Sequence, residues 1–310
     1  MKVDIICPIY RGGSYVASLV ENIAKQKTKD NFSLKFILTV KDDVDGEDSE
    51  ATNDCRREIK KAMRKYDWIS LDTEKKADFS HSTTREKAMM ASTAKILVLI
   101  TQDVDIRSDI WLEELVKDIR VSIKKHKTAE KGDIVLTYSR QISKYKNIEK
   151  YSRERNYPEE DHVRGKRDIK KYGIKTFFTS DASSGFRADV FKKLGGYDGK
   201  KLPLSEDMYY AYKVIMNNYK IKYASKSEVW HSHNFTLKDT YNRYKMTGQF
   251  FAMNDYLNEY SSNKYGWDLA KYILRRAFSE HAVFAIFKWL PDMSARYLGM
   301  QIGKRKKNAK

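Results

Sequence analysis

Short apolar runs alternate with stretches of helical period along the first 140 residues. VDIICPI (3–9), LKFILTV (34–40), WISLD (68–72), KILVLIT (95–101) and DIVLTYS (133–139) have the length and β-branched content of buried strands. Between them, apolar positions recur every three or four residues. Val16, Leu19, Val20 and Ile23 follow Ser14, which is expected to cap their helix; DCRREIKKAMRKY, TTREKAMMAST and WLEELVKDIRVSIKKH (111–126) supply the later helices. This alternation predicts an α/β fold, a mostly parallel sheet flanked by helices on both faces. In such sheets ligands bind beyond the carboxyl ends of the strands.

The pattern then changes. Residues 140–180 are polar and basic without clear periodicity, and read as a long ordered loop or small subdomain over the sheet rim. RADVFKKLGGYD reads as a helix closed by Gly195 in a left-handed cap. SEDMYYAYKVIMNNY reads as another, with Ser205 as its cap and Met208, Ala211, Tyr212 and Ile215 along one side. From about Leu237 the chain reads as all helical. There is no internal repeat and no low-complexity tract.

Composition narrows the class. Hydrophobic residues make up 41% of 310, so the chain folds. The two cysteines, Cys7 and Cys55, lack metal-type spacing, and Cys7 sits in an apolar run. A reducing, cytoplasmic compartment is expected. The longest apolar runs, such as AVFAIF (282–287), fall far short of the ~20 residues a spanning helix needs. The net charge of +18 calls for an anionic partner: nucleic acid, anionic lipid or a polyanionic substrate. From Lys264 to Lys310 there are eleven Lys and Arg against three acids, interleaved with aromatic and aliphatic residues. That reads as a basic amphipathic segment for an anionic membrane surface. The plainer reading is a solvated basic tail on a core-packed helix.

Candidate chemistry collects at strand ends. Asp42, Asp43, Asp103 and Asp105 all follow predicted strands. Asp103 and Asp105, in ITQDVDI, are either turn residues bonding the backbone or ligands for a divalent cation that carries phosphates. Glu206 and Asp207 open a helix, as dipole-stabilising caps or as a general base; the helix N-terminus is expected to keep Asp207 ionised. His231 and His233, at alternate positions of an extended segment, face the same way, as hydrogen-bonded strand-end residues, metal ligands or diphosphate donors. His81 and Arg85 lie one helical turn apart, to pair with anions at the rim or to cap that helix.

In this order the pieces resemble nucleotide-diphospho-sugar glycosyltransferases of the GT-A fold, family 2, and within them the bacterial dTDP-rhamnosyltransferase-like members. CPIYRGGSYVASLVENIAKQ stands at the family's first strand and helix, with Arg11 for the usual Asn. HSTTREKAMMASTAKILVLITQDVDI resembles its His-x-x-Thr-Arg helix and Thr-Gln-Asp strand end. SRQISKYKNIEKYSRERNYP, FFTSDASSGFRADVFKKLGGYD, LSEDMYYAYKVI and VWHSHNFTLKDTYNRYKMTGQF follow in the family's sequence, so that the likeness runs from about residue 2 to 252.

The resemblance implies a catalytic domain over 1–236, with a nucleotide-sugar half (1–105) and an acceptor half (106–236), and a helical basic region over 237–310. It implies Mg²⁺ or Mn²⁺ at Asp103 and Asp105, helped by His231 and His233, and Asp207 as base with Glu206 beside it. Donor binding falls to Pro8, Tyr10, Asp42 or Asp43, Arg85 and Asp103, and acceptor binding to Asp181 and Ser184. The implied reaction is inverting transfer, with dTDP-L-rhamnose as donor and a cell-surface or lipid-linked glycan as acceptor, at the inner face of the membrane. Another UDP- or dTDP-hexose donor is the alternative, and a homo-oligomer stays open. A nucleic-acid-binding protein would also explain the charge, but no compact recognition motif is present. A nucleotidyltransferase would carry a Gly-rich phosphate loop near its N-terminus, of which RGGSY is a poor version.

Overall fold

The computed structural model describes residues 1–41, 48–261 and 263–305. Asp42 and Asp43 therefore lie outside the described residues. In chain order the elements are β1 (Lys2–Ile9), α1 (Gly13–Ala24), β2 (Asn31–Val40), α2 (Glu50–Lys65), β3 (Ile69–Lys75), α3 (His81–Ala91), β4 (Ile96–Ile100) and β5 (Asp105–Ile106). Next come α4 (Trp111–Lys125), β6 (Ile134–Ile142), α5 (Ile148–Asn156), β7 (His162–Arg164) and α6 (Ile169–Tyr172). β8 (Ser183–Arg187), α7 (Ala188–Lys193), α8 (Glu206–Met216) and β9 (Lys220–Trp230) complete the α/β part. Three helices end the chain: α9 (Leu237–Met253), α10 (Asn263–Ser279) and α11 (Val283–Arg305).

One nine-stranded sheet runs β3-β2-β1-β4-β8-β6-β9-β5, with β7 beside β9. Its first four strands are parallel, as the alternation predicts. Beyond β4 the sheet is mixed. β8 runs antiparallel between β4 and β6, and β5 and β7 run antiparallel to β9. β4 is buried throughout: Ile96, Val98 and Ile100 enter the core under α1, α2 and α4, while Leu97 and Leu99 enter the opposite core with α3, α7 and α8. A two-residue period with both faces covered is what a central strand requires. Cys7 is one of the first core's residues, a small hydrophobe in effect.

Two expected caps differ. α1 begins at Gly13 with Gly12 before it and no side-chain cap, so Ser14 lies inside the first turn. A Cβ on Gly12 would come within 2.6 Å of Gln102 Oε1, so the close approach of the β1 and β4 loops excludes a side chain there. Ser205 precedes α8 in the left-handed region (φ 63°) and makes no capping bond. Gly195 does close α7 with φ 70°, as expected of its sequence. α8 buries Tyr209, Tyr210, Ala211, Val214 and Ile215, a face shifted slightly from the predicted one.

Candidate active site

The strand order reverses between β1 and β4, which opens a crevice beyond their carboxyl ends. Its floor is tied together by Gln102. The Tyr10 amide donates to Gln102 Oε1 at 2.8 Å, and Gln102 Nε2 donates to the Tyr10 carbonyl at 3.3 Å. Pro8 lies half-buried on β1 just below.

Asp103 follows in a turn closed by the Val104 amide on the Thr101 carbonyl. That turn breaks the alternation on which pairing Asp103 with Asp105 depended. Asp105 has instead entered β5, opposite Trp230, where Lys144 Nζ donates to it at 2.6 Å and Asn22 Nδ2 at 3.2 Å. The structure thus brings together three of the four predicted metal ligands. Asp103, His231 and His233 offer ligand atoms all within 4.8 Å of one another, and Asp105 stands apart from them.

The orientation of His231 is fixed from behind. Gln141 Nε2 donates to Ser180 Oγ at 2.6 Å, and Arg153 donates to Gln141 Oε1, which assigns that amide as acceptor toward the ring. His231 Nδ1–H therefore donates to Gln141 Oε1 at 2.9 Å, an assignment inferred from this network. Nε2 is thereby left facing Asp103 Oδ2 at 3.4 Å, a lone pair when the ring is neutral and a donor when it is charged. His233 Nδ1 lies 3.7 Å from the same oxygen. Two acceptors aimed at each other demand a cation between them, a proton or a metal. Burial pushes the Asp103 carboxyl up, but the bond and charge of His231, Thr101 and the His233 charge outweigh it and hold Asp103 well below the usual carboxylate range.

A second group of acids lies against β8. Asp181 is buried, accepting from Tyr197 OH at 2.7 Å and Ser184 Oγ at 2.9 Å. Ser184 is fully buried, so neither predicted acceptor residue presents its side chain at the surface. Arg85 is buried too, and its guanidinium binds Glu206 rather than projecting into the crevice where diphosphate binding was expected. Asp207 keeps part of its surface open and accepts from the Met208 amide at 2.7 Å. Its environment reverses the sequence expectation. Burial first, then the charges of Asp181 and Glu206, raise the Asp207 pKa well above normal, outweighing the helix N-terminus and Arg85. Burial and Glu206 likewise lift Asp181 to about 6, against the opposing pull of Arg85.

One segment joins the two groups. Ser180 holds Gln141, Asp181 carries the acid cluster, and the Ala182 carbonyl accepts from the Thr101 amide at 3.1 Å. Gln141 and Arg153 carried no role in the sequence pattern, although both stand inside SRQISKYKNIEKYSRERNYP.

A mixed α/β sheet with a metal-type cluster at its switch point and a carboxylate at a helix start is the layout of a glycosyltransferase of the GT-A type. No general family model matches the chain. Among characterised proteins it is 31% identical over 233 residues to the O-antigen chain rhamnosyltransferase WbaN of Salmonella anatum, covering 74% of this chain and 70% of that one. It is 28% identical over 309 residues to the O-antigen chain rhamnosyltransferase RfbN of Salmonella typhimurium, covering 98% and 90%. The fold resembles that of a mannosyltransferase from Pyrobaculum calidifontis solved with GDP-Man and Mn²⁺, with a TM-score of 0.60 and 13% identity over 98% of this chain and 86% of the other. The chain belongs to the family of O-antigen chain rhamnosyltransferases.

Proposed function

We propose that this protein transfers L-rhamnose from dTDP-L-rhamnose to a lipid-linked surface glycan, with inversion at the anomeric carbon. The observation that carries the reading is the Asp103–His231 pair, whose acceptor atoms face each other at the crevice. Asp103, His231 and His233 would hold a divalent cation, and one carboxylate with two imidazoles suits Mn²⁺ better than Mg²⁺. Such an ion, when bound, offsets the charge that develops on the departing diphosphate. The Mn²⁺ and sugar nucleotide bound by the mannosyltransferase of similar fold support this use of the rim.

Asp207 takes the proton of the acceptor hydroxyl as that oxygen attacks the anomeric carbon. The new glycosidic bond forms on the face opposite the diphosphate, whose bond to the sugar breaks, so no covalent enzyme intermediate is required. Arg85 acts through Glu206, fixing its carboxylate beside the base by their ion pair, and Asp181 with Ser184 shapes the acceptor side from beneath. Pro8, Tyr10 and Asp42 or Asp43 frame the nucleoside. In this reading residues 1–105 serve the donor, 106–236 the acceptor, and 237–310 an attachment at the inner membrane face. Donor hydrolysis by the purified protein, across a panel of nucleotide sugars with chelator, Mg²⁺ or Mn²⁺, tests it. dTDP-L-rhamnose should be preferred and hydrolysis should require metal. Preference for a UDP-hexose, or turnover indifferent to chelation, overturns the reading.

A further inference from the structure

The C-terminal hairpin is locked to the protein on one side and bare on the other. On the locked side Trp289 Nε1 donates to the Ala270 carbonyl at 2.9 Å, so this aromatic, expected from the sequence to face a membrane, packs inward. Asp292 is buried against Arg296, and Gly299 and Gly303 press on α9. On the bare side of α11, Phe284 is 91% exposed, Phe287 78% and Leu290 65%. The turn back to α10 adds exposed Phe278 and Val283. Lys271 and Arg275 precede Phe278 at helical spacing on α10 and are also exposed. Single exposed aromatics need no explanation; several large apolar side chains meeting at one corner do.

We propose that this corner docks on an anionic lipid bilayer, with Phe284, Phe287 and Leu290 entering the boundary between headgroups and acyl chains while Lys271 and Arg275 meet lipid phosphates. The proposal rests on the reading above, in which the acceptor is lipid-linked. Charge selects this occupant. Among the described residues 265–305, seven Lys and Arg stand against three acids, and Lys271 and Arg275 are exposed at the corner itself. Of the acids there, Glu280 is bound by Lys150 at 2.5 Å and Arg276 at 2.6 Å, and Asp292 is buried. A second copy of the chain would bring two cationic surfaces together, whereas anionic lipid neutralises one. Among the described residues no helix is long and apolar enough to cross a bilayer, so the helix lies in the interface plane.

Vesicle co-sedimentation of the full chain tests this, using phosphatidylcholine with and without phosphatidylglycerol. Wild type should bind the anionic vesicles only. The triple variant F284S/F287S/L290S should bind about tenfold or more weakly, with unchanged melting temperature and unchanged hydrolysis of dTDP-L-rhamnose. A Phe287→Trp variant should gain quenching by brominated acyl chains. If the triple variant binds like wild type while truncation after Gly303 abolishes binding, attachment is through the tail alone; the docking face is overturned and surface attachment stands. If wild type ignores anionic vesicles at low salt, both fall, with the donor reading untouched. If the triple variant instead abolishes a lipid-free dimer, the face is a subunit interface and the proposal is wrong.

Discussion

Asp103 and Asp207 are the same side chain at two edges of one crevice, and their surroundings push them in opposite directions. Asp103 has two imidazoles beside it, one with its tautomer fixed, and is held ionised far below the usual range. Asp207 has two carboxylates beside it and little water, and is driven up. In the mechanism proposed above each suits its role: an anion must persist where positive charge is to be held, whereas a base must bind a proton readily once the acceptor arrives. The difference comes from the neighbours: imidazoles just past β9 for Asp103, and for Asp207 the carboxylates of Asp181, just before β8, and of Glu206 on its own helix.

The contrast breaks most severely at Asp207. Asp207→Asn keeps the shape and loses the proton acceptor, so turnover should fall by about 10²–10⁴ with donor binding retained. Steady-state kinetics alongside donor titration checks this; surviving turnover would move the base elsewhere. On the other side, Gln141→Leu removes the partner that fixes His231. Apparent metal affinity should weaken by about 10–100-fold, read as the Mn²⁺ concentration for half-maximal hydrolysis. Asp105→Asn, which loses the Lys144 pair, should leave that concentration unchanged; a large shift would return Asp105 to the metal.

Next comes pH. A raised pKa means Asp207 is competent only above it, so kcat/KM should rise with pH along an acidic limb. Glu206→Gln removes one charge that lifts Asp207 and frees Arg85 to pull it down, so the limb should move to lower pH even though maximal rate and stability both fall. A limb that stays put would show that another group titrates. The smallest effect is expected at Arg11, held at φ 50° in the loop beside Tyr10. Arg11→Gly should raise stability by about 0.5–1 kcal/mol in chemical denaturation if the strain outweighs Arg11's contact over the Tyr10 ring at 5.0 Å.

Much of this was legible because periodicity marks where strands end. The runs at β1, β2 and β4 located the rim, and Asp103, His231, His233, Glu206 and Asp207 were read from their places after strands or before a helix. Asp105 lies outside the Asp103 cluster because a turn, which leaves no hydrophobic signature, intervenes. Gln141 was silent for a related reason: a neutral amide inside a strand looks like any polar position until its partners are known. Arg85 and Glu206 are 121 residues apart, beyond any local pattern. β8 was missed altogether, since SSGFR, all buried, is built of small and polar residues that carry no apolar strand signal. Asp207 was misjudged because a helix dipole can be read from sequence and burial beside Asp181 cannot.

Gly248 on α9 faces Gly299 and Gly303 on α11 so closely that a Cβ on Gly303 would sit 2.1 Å from the Lys245 carbonyl, and one on Gly299 2.4 Å from that of Tyr241. At this crossing α11 meets α9 main chain to main chain, beside the side-chain bonds of Asp292 and Arg296. Glycines at this seam give up no side-chain rotamers, although they lose more backbone freedom on folding than other residues do. α9 begins four residues after His233. A side chain added at Gly299 or Gly303 would therefore part α11 from the helix that leads out of the crevice.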